Sequence, residues 1–393
     1  MNVPVPPSAG SAIAMSGGGF RSTLFQVGAL RRMNELGLLS KLACVSGVSG
    51  GSIAAAQLGI AWPSLAFDRT TGVGAAAAFD QGVLEPLMKF CSKTIDIPAA
   101  IDALVNPFKS GSQALQESLR ENLFGNRKLT DLPGTATGGP RFVFNATSLQ
   151  TGVRFWMSRE DLGDYQIGYT TNTGGVSVAT AVAASAAFPP IFTPLEFPMP
   201  TGPYQPCVNP VSHHKMGLYV TDPAYHHVAQ LCDGGTYDNL GLQEIWGEGF
   251  DTLWVSDASS AFVAHPNYLA QSHWYQPHML VTLLRVIDSM MRSGEARRRS
   301  DLIDQYKAKT IKGAFWGTTT SLSVGNPPNA LPLDPAKVTE LAELDTLLRD
   351  FGEEKRQKLV NWGYAVADRQ IREWNNLTNP PIPAWPYPNR PLG

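Results

Sequence analysis

Leu42-Ala-Cys-Val-Ser-Gly-Val-Ser-Gly-Gly-Ser-Ile-Ala-Ala-Ala56 joins an apolar, strand-like run directly to an apolar, helix-like one through Gly-x-Ser-x-Gly. Ser49 has Gly47 two residues before it and Gly51 two after it, a frame that neither Ser46 nor Ser52 shares. A serine at the apex of a sharp strand-to-helix turn is held in a strained backbone conformation, and flanking glycines remove side chains that would strike the strand or the helix. Its hydroxyl is thereby exposed, and the following helix turns its positive N-terminal end toward any oxyanion formed there. The competing reading is a small-residue turn in which Ser49 only caps the helix. Gly-x-Ser-x-Gly alone cannot decide between them in a chain with 37 glycines.

A second glycine turn decides. In Ser11-Ala-Ile-Ala-Met-Ser-Gly-Gly-Gly-Phe-Arg-Ser-Thr-Leu24, Ile13 to Met15 reads as a strand. Phe20, Leu24, Val27, Leu30 and Met33 then recur at helical spacing, and the helix is expected to end near Gly37. Gly17, Gly18 and Gly19 therefore stand just before a helix N-terminus, where bare backbone amides form an anion-binding nest. Two nucleotide readings fail. A phosphate-binding P-loop needs a Gly-Lys-Ser/Thr ending, and no lysine occurs between Met1 and Ser40. A dinucleotide fingerprint beginning at Gly17 requires glycine or alanine where Ser22 stands. An oxyanion hole needs only accessible amides and a nucleophile on the next strand, which Ser49 supplies.

A serine also needs a proton acceptor. None of the seven histidines, His213, His214, His226, His227, His265, His273 and His278, stands in a recognisable strand-end motif. By contrast, Leu231-Cys-Asp-Gly-Gly-Thr-Tyr-Asp-Asn-Leu-Gly-Leu242 places Asp233 at the end of an apolar approach. Gly234 and Gly235 follow, and without side chains they leave its carboxylate room to meet another loop. Taken alone, Asp233-Gly234 reads more readily as an ordinary tight turn.

Together these three segments, in this chain order, resemble the patatin-like phospholipase family. The resemblance implies an α/β fold, a three-layer α/β/α sandwich with a mostly parallel central sheet and the nucleophile at a strand-to-helix turn. It assigns Ser49 as nucleophile and Asp233 as base of a Ser/Asp dyad, with Gly17, Gly18, Gly19 and Gly50 as the oxyanion hole. It also makes Arg21 a candidate contact for a substrate anion. Phe142-Val-Phe-Asn-Ala-Thr147 matches a core strand running toward the site, and Ala183-Ala-Ser-Ala-Ala-Phe-Pro-Pro-Ile-Phe192 matches the helix and proline turn before the acidic motif. Ser22 departs from the family pattern, which often has glycine after the arginine. The implied activity is hydrolysis of carboxylic esters of phospholipids, lysophospholipids or related acyl esters, with neither cofactor nor metal.

Composition bounds the rest. Hydrophobic residues at 43% and charged residues at 16% support an ample core, and a net charge of -2 gives no electrostatic case for nucleic acid. Residues 1–10 read as an N-terminal extension without a secretory signal, and no apolar run reaches the roughly 20 residues of a membrane span. The expected setting is cytoplasmic or peripheral to a membrane, with the aromatic and Pro-rich loops at 192–204 and 315–332 as candidate lipid contacts. Residues 11–375 read as one hydrolase domain with insertions near 66–108 and 198–230. The first insertion reads as a lid or a packing element, and the Pro-rich tail at 376–393 as docked or disordered. Residues 337–374 read as amphipathic helices with Leu341, Leu344, Leu347 and Leu348 on one apolar face. Arg297-Arg298-Arg299 reads as a solvated helix face. Cys44, Cys91, Cys207 and Cys232 have no zinc-like spacing and read as reduced thiols.

Two other functions compete. One is an α/β-hydrolase with a Ser/His/Asp triad using His265 or His278, disfavoured because that architecture places several strands before its nucleophile and only about two precede Ser49. The other is a non-catalytic lipid- or protein-binding module of the same fold.

Overall fold

The structure is a computed structural model that describes residues 10–95, 110–189, 191–208, 215–259, 278–322, 326–375, 377 and 379–393. His213, His214, His265 and His273 lie outside these residues, as does the extension except for Gly10.

The glycine turns sit where the alternating patterns place them. Strand β1 (Ser11–Met15) leads into helix α1 (Gly19–Glu35), and β2 (Leu42–Val48) leads into α2 (Gly50–Ala61). Helices α3 (Ala76–Phe79), α4 (Glu85–Phe90) and α5 (Gly111–Leu119) precede β3 (Arg141–Ser148). An antiparallel run follows, β4 (Arg154–Ser158), β5 (Leu162–Asp164) and β6 (Gly168–Thr170), then α6 (Val178–Ala186) and β7 (Leu195–Pro198). A small hairpin of β8 (Cys207–Val208) and β9 (Lys215–Met216) separates these from β10 (Val228–Asp233) and α7 (Gly235–Asp238). The chain closes with β11 (Thr252–Asp257), α8 (His278–Lys307), β12 (Lys312–Gly317), α9 (Pro335–Ala342) and α10 (Glu353–Asn375).

Ten strands form one sheet along the order β12-β11-β1-β2-β3-β4-β5-β6, with β10 pairing β3 and β7. The five strands from β12 to β3 are mutually parallel, as the resemblance implies, and antiparallel strands extend the sheet beyond β3. Side chains of a strand alternate between faces, and here both faces are covered. Ile13, Met15, Val45, Phe142 and Phe144 join one core with α1, α2 and α10, whereas Ala12, Ala14, Cys44 and Val143 join a second core with Leu240, Leu242, Leu302 and Tyr306. The α/β/α layering follows from that split.

β3 organises the end of the sheet that carries Ser49 and Asp233. Its residues Arg141 to Asn145 pair in parallel with β2 up to Val48, and its next residues, Ala146 to Ser148, pair antiparallel with β10 down to Asp233. Two strands thus end head to head along one edge of β3, Val48 opposite Asn145 and Asp233 opposite Ala146. The residue after Val48 is Ser49.

Several expectations are settled or corrected. Residues 343–352 are not helical, because their carbonyls are bonded elsewhere: Leu347 accepts from the Phe20 amide at 3.1 Å and Leu348 from the Ile95 amide at 2.8 Å. The described part of the first insertion is a packing element, with Phe79, Val83, Leu87 and Phe90 buried against the α1 layer. The tail is docked: the Asn361 amide donates to the carbonyls of Tyr387 and Arg390, each at 2.9 Å, and Leu392 is buried. Arg298 and Arg299 are not merely solvated, since Arg298 pairs with Asp238 and Arg299 donates to Thr319. Phe192, Phe197 and Trp316, from the loops considered as lipid contacts, are core residues.

Candidate active site

Ser49 adopts φ 52° and ψ -120°, a positive φ that a non-glycine residue accepts only under constraint, at a cost of order 1–3 kcal/mol. The constraint is the approach of the two glycine turns. A Cβ on Gly51 would lie 2.4 Å from the Met15 carbonyl oxygen, and one on Gly50 would lie 2.1 Å from that of Gly19. Bare backbone at these positions lets the α1 and α2 N-termini converge on one point.

Asp233 closes the site from the opposite strand. Its carboxylate accepts a hydrogen bond from the Gly235 amide at 2.7 Å, and it lines one cavity with Ser49. Its backbone is fixed on both sides, its amide donating to the Ala187 carbonyl at 3.0 Å and its carbonyl accepting from the Thr147 hydroxyl at 3.0 Å. Burial pushes its pKa from 3.8 up to about 6, against the lowering effect of the Ser49 hydroxyl and the Gly235 amide. Among the described residues no cation forms an ion pair with it.

Of the glycines assigned to the oxyanion hole, Gly18 and Gly19 line the cavity with Ser49 and Asp233. Gly18 is the N-cap of α1 and Gly50 is the first residue of α2. Gly17 is corrected: its amide donates to the Asn239 carbonyl at 3.0 Å, so this N–H is already committed.

Arg21 is corrected as well. It is fully buried, donating to the carbonyls of Ala342 and Leu344 at 2.8 Å and of Ala258 at 3.0 Å, and does not line the cavity. Burial lowers its pKa to about 10, partly opposed by Asp257 and Asp345. Its role is to hold the 342–348 loop against α1.

That loop forms one wall of a cavity of about 580 Å³ that Ser49 and Asp233 also line. The cavity is lined by Leu344, Leu347 and Leu348, by Phe188, Ile191 and Phe192, and by Arg285, Asp288, Met291, Arg292 and Glu295 of α8. Glu295 is pushed up by burial and then by Asp257, and a hydrogen bond with Asn239 opposes the rise. Sequence reading picked out residues 183–192 and the leucine face without foreseeing that they meet at one cavity, and it missed Arg285, Asp288, Arg292 and Glu295, whose segment carries no glycine turn. The local signal in 343–352 was leucine spacing, which pointed to a helix.

The triad alternative finds no support among the described side chains. His226 stacks on Tyr204 with ring centroids 3.9 Å apart and bonds the Ile167 carbonyl, and neither it nor His227 lines the cavity. His265 lies outside the described residues, and His278 is described in its backbone alone. Among the described residues no helix is long and apolar enough to cross a membrane.

Among solved structures, the chain is similar to human GIVD cytosolic phospholipase A2, with 12% identity, a TM-score of 0.48 and 92% of this chain covered. It spans 61% of the length of that human chain. It is also similar to VipD from Legionella pneumophila, with 14% identity, a TM-score of 0.36, and coverage of 95% of this chain and 68% of the other. No curated protein matches the sequence. The profile of the patatin-like phospholipase family matches residues 13–246, a segment that contains both glycine turns, Ser49 and Asp233. The chain therefore belongs to the patatin-like phospholipase family, a family of lipid hydrolases.

Proposed function

We propose that the chain is a serine acyl hydrolase that cleaves carboxylic esters of phospholipids, lysophospholipids or related acyl lipids through a Ser49/Asp233 dyad. The observation that carries this reading is that Ser49 and the buried Asp233 carboxylate, whose pKa is raised to about 6, line one cavity. An exposed aspartate near pKa 3.9 is a weak base for a serine; desolvation brings Asp233 closer to the working pH without protonating it at neutrality.

In the first half-reaction the Ser49 Oγ attacks the ester carbonyl as its proton passes to Asp233. The charge that develops on the carbonyl oxygen faces the N-terminal ends of α1 and α2, where the amides of Gly18, Gly19 and Gly50 are the proposed donors. Collapse breaks the ester C–O bond, and Asp233 returns its proton to the departing alcohol. In the second half-reaction a water molecule gives a proton to Asp233 and attacks the acyl-serine carbonyl. Collapse then releases the fatty acid and restores the proton to Ser49. The Phe188, Ile191, Phe192 and leucine wall suits an acyl chain.

Peripheral contact with a lipid surface belongs to the same proposal. It is supported by Met279, Leu283, Val286 and Met290, exposed on α8 at helical spacing, on the helix that also walls the cavity.

The test is release of fatty acid from mixed natural lipids by the wild type, Ser49→Ala and Asp233→Asn. Each variant is expected to lose at least about 1,000-fold in kcat/KM, the scale of removing a nucleophile or its base. Wild-type hydrolysis by Ser49→Ala would refute the dyad. A wild type that neither hydrolyses lipids nor labels with a fluorophosphonate would favour the binding-module reading.

A further inference from the structure

We infer that Ser185 is a positioning residue of the dyad: its hydroxyl holds the amide of the nucleophile turn against β3 while its backbone carbonyl holds the turn that follows the base. It lies in the last turn of α6 and is fully buried, so it does not meet substrate. Its hydroxyl is saturated. It donates to the Asn145 carbonyl at 2.6 Å and accepts the backbone N–H of Ser49 at 3.0 Å. The Ser52 hydroxyl lies 2.8 Å away, and because the Ser185 proton is already directed at a carbonyl, Ser52 is the donor in that pair. The Ser185 backbone carbonyl accepts the Gly234 amide at 3.2 Å, one residue beyond Asp233.

These contacts meet at the junction where β2 and β10 end head to head. Asn145, the acceptor of the Ser185 hydroxyl, pairs with Val48, and its neighbour Ala146 pairs with Asp233. The Ser49 amide lies at an N-cap with positive φ and has no place in the β-ladder, so a side chain must hold it. Ser185 accepts that N–H while its own carbonyl fixes the turn after Asp233. Alanine has no oxygen for the Ser49 amide, and cysteine fills the space with a sulfur that accepts only weakly. Small displacements of a nucleophile from its base cost rate more than binding: about 1 Å is worth on the order of 100-fold.

This inference rests on the dyad reading, and the experiment separates the two. Full-length Ser185→Ala, Ser185→Cys, Ser52→Ala and Ser49→Ala are compared by ester-hydrolysis kinetics, fluorophosphonate labelling rate and thermal midpoint. Ser185→Ala and Ser185→Cys are expected to lose about 10- to 100-fold in kcat and in labelling rate, with KM within about twofold of wild type. Ser52→Ala removes a hydroxyl from the same cluster without touching the Ser49 amide or the Gly234 turn, and is expected to stay within about threefold in kcat. A Ser185→Cys enzyme with wild-type kcat would overturn the inference, because filling the space would then suffice. An equal loss in Ser52→Ala would overturn it too, since the effect would be one of general packing. With Ser49→Ala inactive, either result leaves the dyad reading standing; activity surviving in Ser49→Ala would remove both.

Discussion

Asp233 and Glu244 are both buried carboxylates on the segment from β10 onward, yet the protein drives them in opposite directions. Burial raises Asp233 to about 6, with only a hydroxyl and an amide to oppose it. Glu244 is raised by burial too, but the guanidiniums of Arg141 and Arg154 outweigh that effect and hold it below the usual carboxylate range. Arg141 also donates to Asp161 at 2.7 Å, which in turn accepts the Trp156 ring N–H at 2.7 Å. Among the described residues no cation pairs with Asp233, whereas Glu244 is held between two guanidiniums. Burial alone does not make a base. Asn145 joins the two regions, accepting from Arg154 at 3.0 Å through its side-chain oxygen and donating to the Ser46 hydroxyl and the Gly47 carbonyl, each at 2.9 Å.

This contrast can be broken from either side. Glu244→Gln leaves two buried guanidiniums short of their counter-charge, and is expected to destabilise the fold by about 3–5 kcal/mol. Denaturant unfolding measures the loss, while kcat of the folded fraction should stay near wild type. A Glu244→Gln protein of wild-type stability, or one that is folded but inactive, would mean that the two carboxylates are not separate in function.

Next in size is the pH dependence of catalysis. Asp233 must be ionised to accept the Ser49 proton, so kcat/KM should fall about tenfold per pH unit below an apparent pKa of about 6. A limb near 4 would indicate an unburied base, and a limb that persisted in residual Asp233→Asn activity would belong to another group.

The smallest expected effect is on stability. The folded-state pKa of Asp233, about 6, lies above its ordinary value of 3.8, so between these values the folded chain keeps a proton that the unfolded chain has lost. Stability therefore falls as pH rises through that window, and the full cost of the buried charge is carried above it. Asp233→Asn removes the charge, and is expected to unfold about 1–3 kcal/mol less readily than wild type at pH 7.5, with the gap closing below pH 4. Equal stability at both pH values would argue that the carboxylate is not desolvated.

The split between what the sequence reveals and what it hides follows interaction range. Gly18, Gly19, Ser49 and Asp233 were legible because each belongs to a turn whose chemistry is written in its immediate neighbours. The parallel centre of the sheet was legible for the same reason, as β1, α1, β2 and α2 alternate with clear periods. Ser185 and its bond to the Ser49 amide, 136 positions away in sequence, left no local mark. Arg21 read as a substrate-anion contact because nothing nearby shows that it will be enclosed by the carbonyls of Ala342 and Leu344. The 343–352 segment was misread because leucine spacing reports a helix only when the backbone bonds to itself, and here its carbonyls bond α1 and Ile95. The commitment of the Gly17 amide to Asn239 likewise arises from a partner over two hundred residues on.

The dyad is tested most directly by labelling with an alkyl fluorophosphonate at pH 7.5, followed by mass spectrometry of the digested protein. The account predicts a single adduct on Ser49 in the wild type, and a labelling rate reduced at least about 100-fold in folded Asp233→Asn, where the nucleophile remains but its base is gone. An adduct on another serine, or labelling of Asp233→Asn at the wild-type rate, would contradict it.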